Sequence, residues 1–263
     1  MRGLDGAWNC RAKGDGSLIY KHGGYETAVI LSAGLGTRMR PLTETTPKPL
    51  LPLGGQPILA HTLARLQEAG VKRIIVNAHY LAAQIEAFLR PYPNVTVTHE
   101  GELLDTGGAI TAMRAKKLLP EAPFYVVNGD TYWVDGPQPT LPRLERAFDP
   151  ARTDVVLLLA RAAGAVAETG KGDFLWPRDG SLRRRGERDV APLLYAGVQL
   201  VSPGLFDCSP AEPFSMNLLW DRALEAGRLD AIVHDGVWFH LSTPDDLARA
   251  QAALDAREVG NTT

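Results

Sequence analysis

The stretch "LSAGLGTRMRPLTETTPKPLLPLGG", Leu31 to Gly55, begins as the end of a buried strand, turns into glycine and then resists becoming a helix. Prolines at Pro41, Pro47, Pro49 and Pro52 interrupt any regular helical ladder. Three cations, Arg38, Arg40 and Lys48, are set among them. An open parallel sheet holds its ligand at the C-terminal strand ends, near the point where strand order reverses. The loop after a first strand lies there. Gly34 and Gly36 let the backbone approach an anion with its N–H groups. The prolines stiffen the rest, so less entropy is lost on binding. Arg38 supplies a forked donor suited to phosphate and Lys48 a mobile point charge. The stretch predicts a preorganised polyphosphate cradle.

The chain around it alternates strands and helices. "AVILSA" before the loop is a continuous apolar run, as in a strand covered on both faces. "RIIVNAH", "VTVTHE", "FYVVNGD" and "DVVLLLA" predict four more strands, the first three separated by helical patterns ending near Gly70, Pro91 and Pro120. Such alternation implies right-handed crossovers and a mostly parallel sheet. After Arg161 the rhythm breaks. "GDFLWPRDGSLRRRG" carries Asp179-Gly180 as a hairpin signal, and "LLYAGVQLVS" is another strand. Two helices follow. The last has Thr243 as its cap, Pro244 in its first turn, and Asp245 and Asp246 at its positive end. The expected fold is a single-domain, Rossmann-like α/β sheet flanked by helices, with antiparallel additions in the second half. Its expected span is residues 27–257, with residues 1–26 a tail and 258–263 a short C-terminal tail.

Composition narrows the function. Of 263 residues, 45% are hydrophobic and 22% charged, and the net charge is −2. No global field favours nucleic acid or an acidic membrane, so anion binding must be local. No apolar run reaches the roughly 18 residues of a membrane span. Cys10 and Cys208 lie far apart and form no metal-ligand spacing. With no secretory signal they predict a reducing cytoplasm rather than a disulfide framework. Two other phosphate motifs fit poorly. Met39 stands where a dinucleotide fingerprint needs its third glycine, and Pro41 follows. "TGKGD" lacks the spacing and hydroxyl of a P-loop. These departures disfavour a nicotinamide oxidoreductase.

The opening stretch resembles the signature of the sugar-1-phosphate nucleotidylyltransferases, G-x-G-T-R-x-x-P-L-T…P-K-P-L-L-P. The resemblance continues through "LLDTGGAI", "NGD" at Asn128–Asp130 and "WFHLSTPDDL". The chain's length is most similar to the N-acetylmuramate 1-phosphate uridylyltransferases. The resemblance implies an enzyme joining a nucleoside triphosphate, UTP first, to a sugar 1-phosphate, with pyrophosphate leaving and Mg²⁺ as cofactor. It implies Arg38 on the β- and γ-phosphates, Lys48 on the α-phosphate, and the backbone of Ala33, Gly34, Gly36 and Thr37 around nucleotide. Asp130 is the implied Mg²⁺ ligand and joins Arg38 and Lys48 as catalytic; a turn aspartate is the bland alternative. Gly107 and Gly108 would approach the base, and Asn77 would contact base or ribose or merely satisfy a loop. Asn128, Gly172, Asp173 and Asn217 would meet the sugar, on the antiparallel half. A monomer or small homo-oligomer is expected, with no nucleic-acid or membrane partner.

The sequence departs from that pattern in two places. Where many relatives read W-x-D-x-G-T, with a second metal-binding aspartate, His240 and Ser242 stand. Imidazole is a poor ligand for hard Mg²⁺. His240 can bind phosphate, hold a metal-bound water, accept a softer metal, or simply pack near Trp238. A Glu-Lys-Pro run is also replaced, leaving Arg184 or Arg185 at the sugar phosphate, or a solvated charge run. Guanylyl transfer to a mannose- or heptose-type phosphate, and a non-catalytic nucleotide-sugar-binding homologue, remain the alternatives.

Overall fold

The computed structural model describes residues 24–167, 170–178 and 180–261. In chain order the elements are β1 (Thr27–Leu31), β2 (Pro52–Leu53), β3 (Gln56–Pro57), α1 (Ile58–Glu68), β4 (Arg73–Ala78), α2 (Ala82–Leu89), β5 (Val95–His99), α3 (Asp105–Ala115) and β6 (Phe124–Asn128). Then come β7 (Tyr132–Val134), α4 (Thr140–Ala147), β8 (Val155–Arg161), β9 (Phe174–Leu175), β10 (Arg183–Arg184), β11 (Leu193–Val201), α5 (Met216–Glu225), β12 (Leu229–Val233), β13 (Val237–Phe239) and α6 (Pro244–Asn261).

The central sheet runs β10-β9-β11-β6-β1-β4-β5, with β8 on β11 and β12 on β8. Strands β5, β4, β1 and β6 are parallel. β11 is antiparallel to β6 and to β8, so β8 is separated from the parallel set by a reversed strand. The chain leaves β1 towards β4 and β5, then returns across β1 to β6. The strand order therefore reverses between β1 and β6, and the proline loop and Asp130 both emerge there.

Apolar faces explain the layers. One core packs Leu59, Leu63 and Leu66 of α1, Ile85 of α2 and Leu144 of α4 against the sheet. The opposite face carries Ile110 and Met113 of α3 and Leu219 and Trp220 of α5. A third, smaller cluster joins Met39, Leu51 and Leu53 of the loop to Ile58, Phe239 and Ala250. The loop's stiffness thus has a second source. It winds through three short 3₁₀ turns, at Thr37–Met39, Leu42–Glu44 and Lys48–Leu50, nailed down by the fully buried Met39.

The expected boundaries shift slightly. Tyr25 and Glu26 are docked: Tyr25 lies edge-on to Phe148, and Glu26 pairs with Lys72. Residues 1–23 of the expected tail lie outside the described residues. Helix α6 runs to Asn261, past the boundary expected at 257. Its start matches expectation: the Asp246 N–H donates to Thr243 Oγ1 (3.2 Å), and Asp246 Oδ2 accepts from the Thr243 N–H (2.8 Å). β9 and β10 form the expected antiparallel pair, while Asp179 of its turn lies outside the described residues. Of the two cysteines expected to be reduced, Cys10 lies outside the described residues. No helix among the described residues is long and apolar enough to cross a membrane.

Candidate active site

A cleft of about 510 Å³ opens at the strand-order reversal. Ala33, Gly34, Gly36, Thr37, Arg38 and Lys48 line it from the loop, and Asn77, Asn128 and Asp130 from the ends of β4 and β6. These are nine of the expected residues, brought from 98 positions of chain to one surface (Ala33 to Asp130, counted inclusively). Gly36 sits in the left-handed region at φ 61°, and an added Cβ would lie 3.2 Å from the Lys48 Cβ. Its backbone is therefore pressed against the stem of the lysine it helps to place.

Lys48 Nζ donates to Asp130 Oδ2 at 2.5 Å. The lysine is largely buried and the aspartate partly open to solvent. The two charges neutralise each other in the free protein.

Asn77 lines the cleft and satisfies the loop, the second of its two expected roles. Its amide is buried, its Oδ1 accepts from the Ser32 N–H (2.6 Å), and its Nδ2 donates to Glu100 Oε1 (2.5 Å). It ties the loop's first residue to Glu100, which also accepts from the Leu104 N–H and lines the cleft. Glu100 therefore presents a fixed acceptor to whatever occupies this end. Asp105 lines the cleft nearby in the left-handed region, at φ 57°, its carboxylate accepting from the Thr106 N–H. Glu100 carried no motif that sequence reasoning could weigh, and Asp105 lies within the quoted "LLDTGGAI" without having been singled out. The buried hydroxyls of Ser32 and Ser242 also line the cleft, without a hydrogen-bond partner among the described residues.

Five expected contacts are not cleft-lining. Gly107 and Gly108 both donate their N–H groups to the Phe214 carbonyl. A Cβ on Gly107 would lie 2.3 Å from the Phe214 ring, so these glycines pack α3 against the segment before α5. Gly172 faces the Ala191 carbonyl, 2.1 Å from an added Cβ. The Asp173 carboxylate accepts from the Tyr195 N–H (2.9 Å), fastening the edge of the sheet. Asn217 is turned to Arg184.

His240 is half-buried beside Trp238, with ring centroids 5.5 Å apart. Burial lowers its pKa; Asp246 opposes this, Lys48 and Arg38 add to it, and Asp130 opposes it. The imidazole is held towards its neutral form, which weakens the reading of a phosphate-binding imidazolium. The charges of Lys48 and Asp130 both act on its titration.

The donors suit a hard cation delivered with its nucleotide. Among the described residues no group of three or more His, Cys, Asp or Glu side chains is placed to hold a metal. Mg²⁺ needs only one or two carboxylates when phosphate oxygens and water fill the rest, and Asp130 fits that role.

A family profile described as the MobA-like NTP transferase domain matches residues 28–230. The chain is 36% identical, over 234 residues, to the N-acetylmuramate alpha-1-phosphate uridylyltransferase of Caulobacter vibrioides, covering 86% of this chain and 96% of that protein. It is 30% identical over 229 residues to the mannose-1-phosphate guanylyltransferase catalytic subunit beta of Drosophila pseudoobscura pseudoobscura, covering 83% of this chain and 60% of that protein. Among solved structures it is similar to HddC from Yersinia pseudotuberculosis complexed with GMP-PN, at a TM-score of 0.69 and 25% identity, covering 88% of this chain and 100% of that one.

Proposed function

Because the chain belongs to the family of MobA-like NTP transferase domains, we propose that it transfers a uridylyl group from UTP to N-acetylmuramate 1-phosphate, releasing pyrophosphate, in cytoplasmic cell-wall recycling. The Lys48–Asp130 pair, set inside a cleft walled by the glycine-rich loop, carries this reading. The similarity to a uridylyltransferase over nearly the whole chain supports the choice of base and sugar.

The chemistry asks for charge neutralisation and alignment more than for covalent help. The loop backbone from Ala33 to Thr37 and the side chain of Arg38 hold the triphosphate. Lys48 leaves Asp130 for the α-phosphate and offsets the charge that builds there as the sugar phosphate oxygen attacks. Asp130 would hold Mg²⁺, which supplies charge neutralisation across the phosphates. Glu100, fixed by Asn77, accepts from an imino N–H of the base. Uracil and guanine both offer one, which keeps guanylyl transfer to a mannose- or heptose-type phosphate as the second reading. The convergence of Arg38, Lys48 and Asp130 in one cleft argues against a non-catalytic homologue. We place the protein as a monomer or small homo-oligomer.

Pyrophosphate release, measured for UTP, GTP, CTP and ATP against several sugar 1-phosphates, tests this. UTP with N-acetylmuramate 1-phosphate is expected to lead. A lead for GTP with mannose 1-phosphate would replace the first reading by the second, and no release with any pair would overturn both.

A further inference from the structure

On β10, outside the residues that line the cleft, stands a cation that the reaction above does not use. Of the two arginines that could face the sugar, Arg185 is spent: its Nε and Nη1 donate to the carbonyls of Gly172 and Gly186, both at 2.8 Å. Arg184 is held differently. Its guanidinium lies 5.2 Å from the centroid of Phe174 and 5.7 Å from that of Trp220. Nη1 donates to Asn217 Oδ1 at 2.8 Å, and Asp221 stands 3.6 Å from Nε. Aromatic packing and one amide fix the plane of the fork while leaving most of its donors unspent among the described residues.

Two chains of contact tie this arginine to the reacting groups. Trp220 also packs edge-on against Tyr195 at 4.6 Å, and the Tyr195 phenol feels the Asp130 carboxylate. Asn217 follows Met216, whose N–H donates to Thr106 Oγ1 (2.9 Å), and Thr106 lines the cleft. A sugar whose phosphate lies at Lys48 and Asp130 would extend towards α5 and β10.

We infer that Arg184, positioned by Asn217, Phe174 and Trp220, recognises a carboxylate on the acceptor sugar and so selects an acidic sugar 1-phosphate over a neutral one. This rests on the muramate reading above, since N-acetylmuramate carries a lactyl ether carboxylate at O3. A planar fork matches a carboxylate with two parallel hydrogen bonds, which an ammonium cannot do. The anion met could also be the sugar's own 1-phosphate. A pair of substrates separates the two, because N-acetylglucosamine 1-phosphate has the same phosphate and lacks the lactyl group.

The test measures kcat and KM for both sugars with the parent, Arg184→Ala and Arg184→Lys. The parent is expected to prefer the muramate substrate. The preference, taken as the ratio of the two kcat/KM values, should fall about 10–100-fold in Arg184→Ala, mostly through KM of the muramate substrate. Arg184→Lys should recover only part of it. Equal loss for both sugars would assign Arg184 to the phosphate and overturn the inference, as would an unchanged ratio. Because the ratio is internal to each protein, poor folding of a variant cannot imitate the expected result. Failure of the muramate reading shows in the parent alone, as transfer to mannose 1-phosphate without transfer to muramate, and it removes the role given to Arg184.

Discussion

On the nucleotide side of the cleft, Ala33 to Lys48 come from one continuous stretch, clamped between β1 and the small core around Met39, Leu51 and Leu53. On the side proposed above for the acceptor, beyond the cleft's lining, Arg184 and Asn217 come from β10 and α5, joined by a side-chain hydrogen bond across 33 positions of sequence. The first region has a buried apolar anchor inside the loop itself. The second is an edge: β9 and β10 are two residues each, and β11 leaves β6 to reach β9. The difference suggests a division of labour. Phosphate chemistry is common to every triphosphate, and it is carried by a rigid, contiguous loop. Sugar choice varies between relatives, and it falls to separate side chains on a thinner scaffold that substitution can adjust.

The sharpest way to break this comparison is to remove charge from the rigid side. Lys48→Ala should lower kcat/KM by roughly 10²–10⁴, as loss of a positioned transition-state cation does. The melting temperature should hardly move, because the loop is fixed by Met39 and its neighbours rather than by the lysine's charge. The same variant has a second readout. Freed from Lys48, Asp130 should bind Mn²⁺ more tightly in the absence of nucleotide, followed by electron paramagnetic resonance. Near-normal pyrophosphate release would take Lys48 out of the mechanism.

Asp130→Asn keeps the side-chain shape and removes the carboxylate. Activity should fall by about 10²-fold or more, and triphosphate binding should lose most of its dependence on Mg²⁺. Retained activity with the parent's Mg²⁺ midpoint would mean that the metal is held elsewhere.

A smaller effect should follow from loosening the nucleotide side itself, where Asn77 ties Ser32 to Glu100. Asn77→Ala leaves the Ser32 N–H and the Glu100 carboxylate without their shared partner, a loss of about 1–3 kcal/mol in a buried setting. We expect a lower melting temperature and a rise in KM for the triphosphate of about tenfold. If base selectivity across the four triphosphates is also relaxed, Glu100 is reading the base. If KM is unchanged while stability falls, Asn77 serves the fold alone.

These cases show what the sequence could disclose. The loop was legible because its chemistry and anchoring lie within a single run of residues, and the strand-final Asp130 because parallel strands present their C-terminal ends to one edge. Met39 was read correctly as a departure from the dinucleotide motif, but its reason, complete burial under α6 and β13, needs the third dimension. Gly107 and Gly172 look like ligand-approach glycines in one dimension. Their actual neighbours are the Phe214 ring and the Ala191 carbonyl, more than 100 and about 20 positions away. Glu100 and Asn217 are ordinary polar residues until the fold turns them towards the cleft and towards Arg184. Helix α4 was given no element in the sequence reading; Pro142 sits within its first turn, where its lost N–H costs nothing.

The smallest expected effect lies away from the cleft and tests whether the scaffold behind it responds to pH. His234 follows β12, is buried, and has its Nε2–H donating to the Val134 carbonyl at 3.1 Å. Burial lowers its pKa; the Val134 carbonyl, Asp135, the Val237 carbonyl and Asp235 all oppose that shift. The sign follows directly. Above the unfolded value of about 6.5 the ring is neutral in both states, and its contribution to stability is fully present. As pH falls through that value, the unfolded chain takes up a proton that the folded chain resists, and stability is lost until the folded pKa is passed. His61 and His240, lowered by burial as well, act in the same direction. The melting temperature should therefore decline between about pH 7.5 and about pH 5.5, and His234→Gln, which keeps a donor for Val134 but cannot titrate, should decline less by on the order of a few degrees. Parallel melting curves for the two proteins across that range would show that His234 titrates alike in the folded and unfolded states, and that burial at this site does not discriminate between its charged and neutral forms.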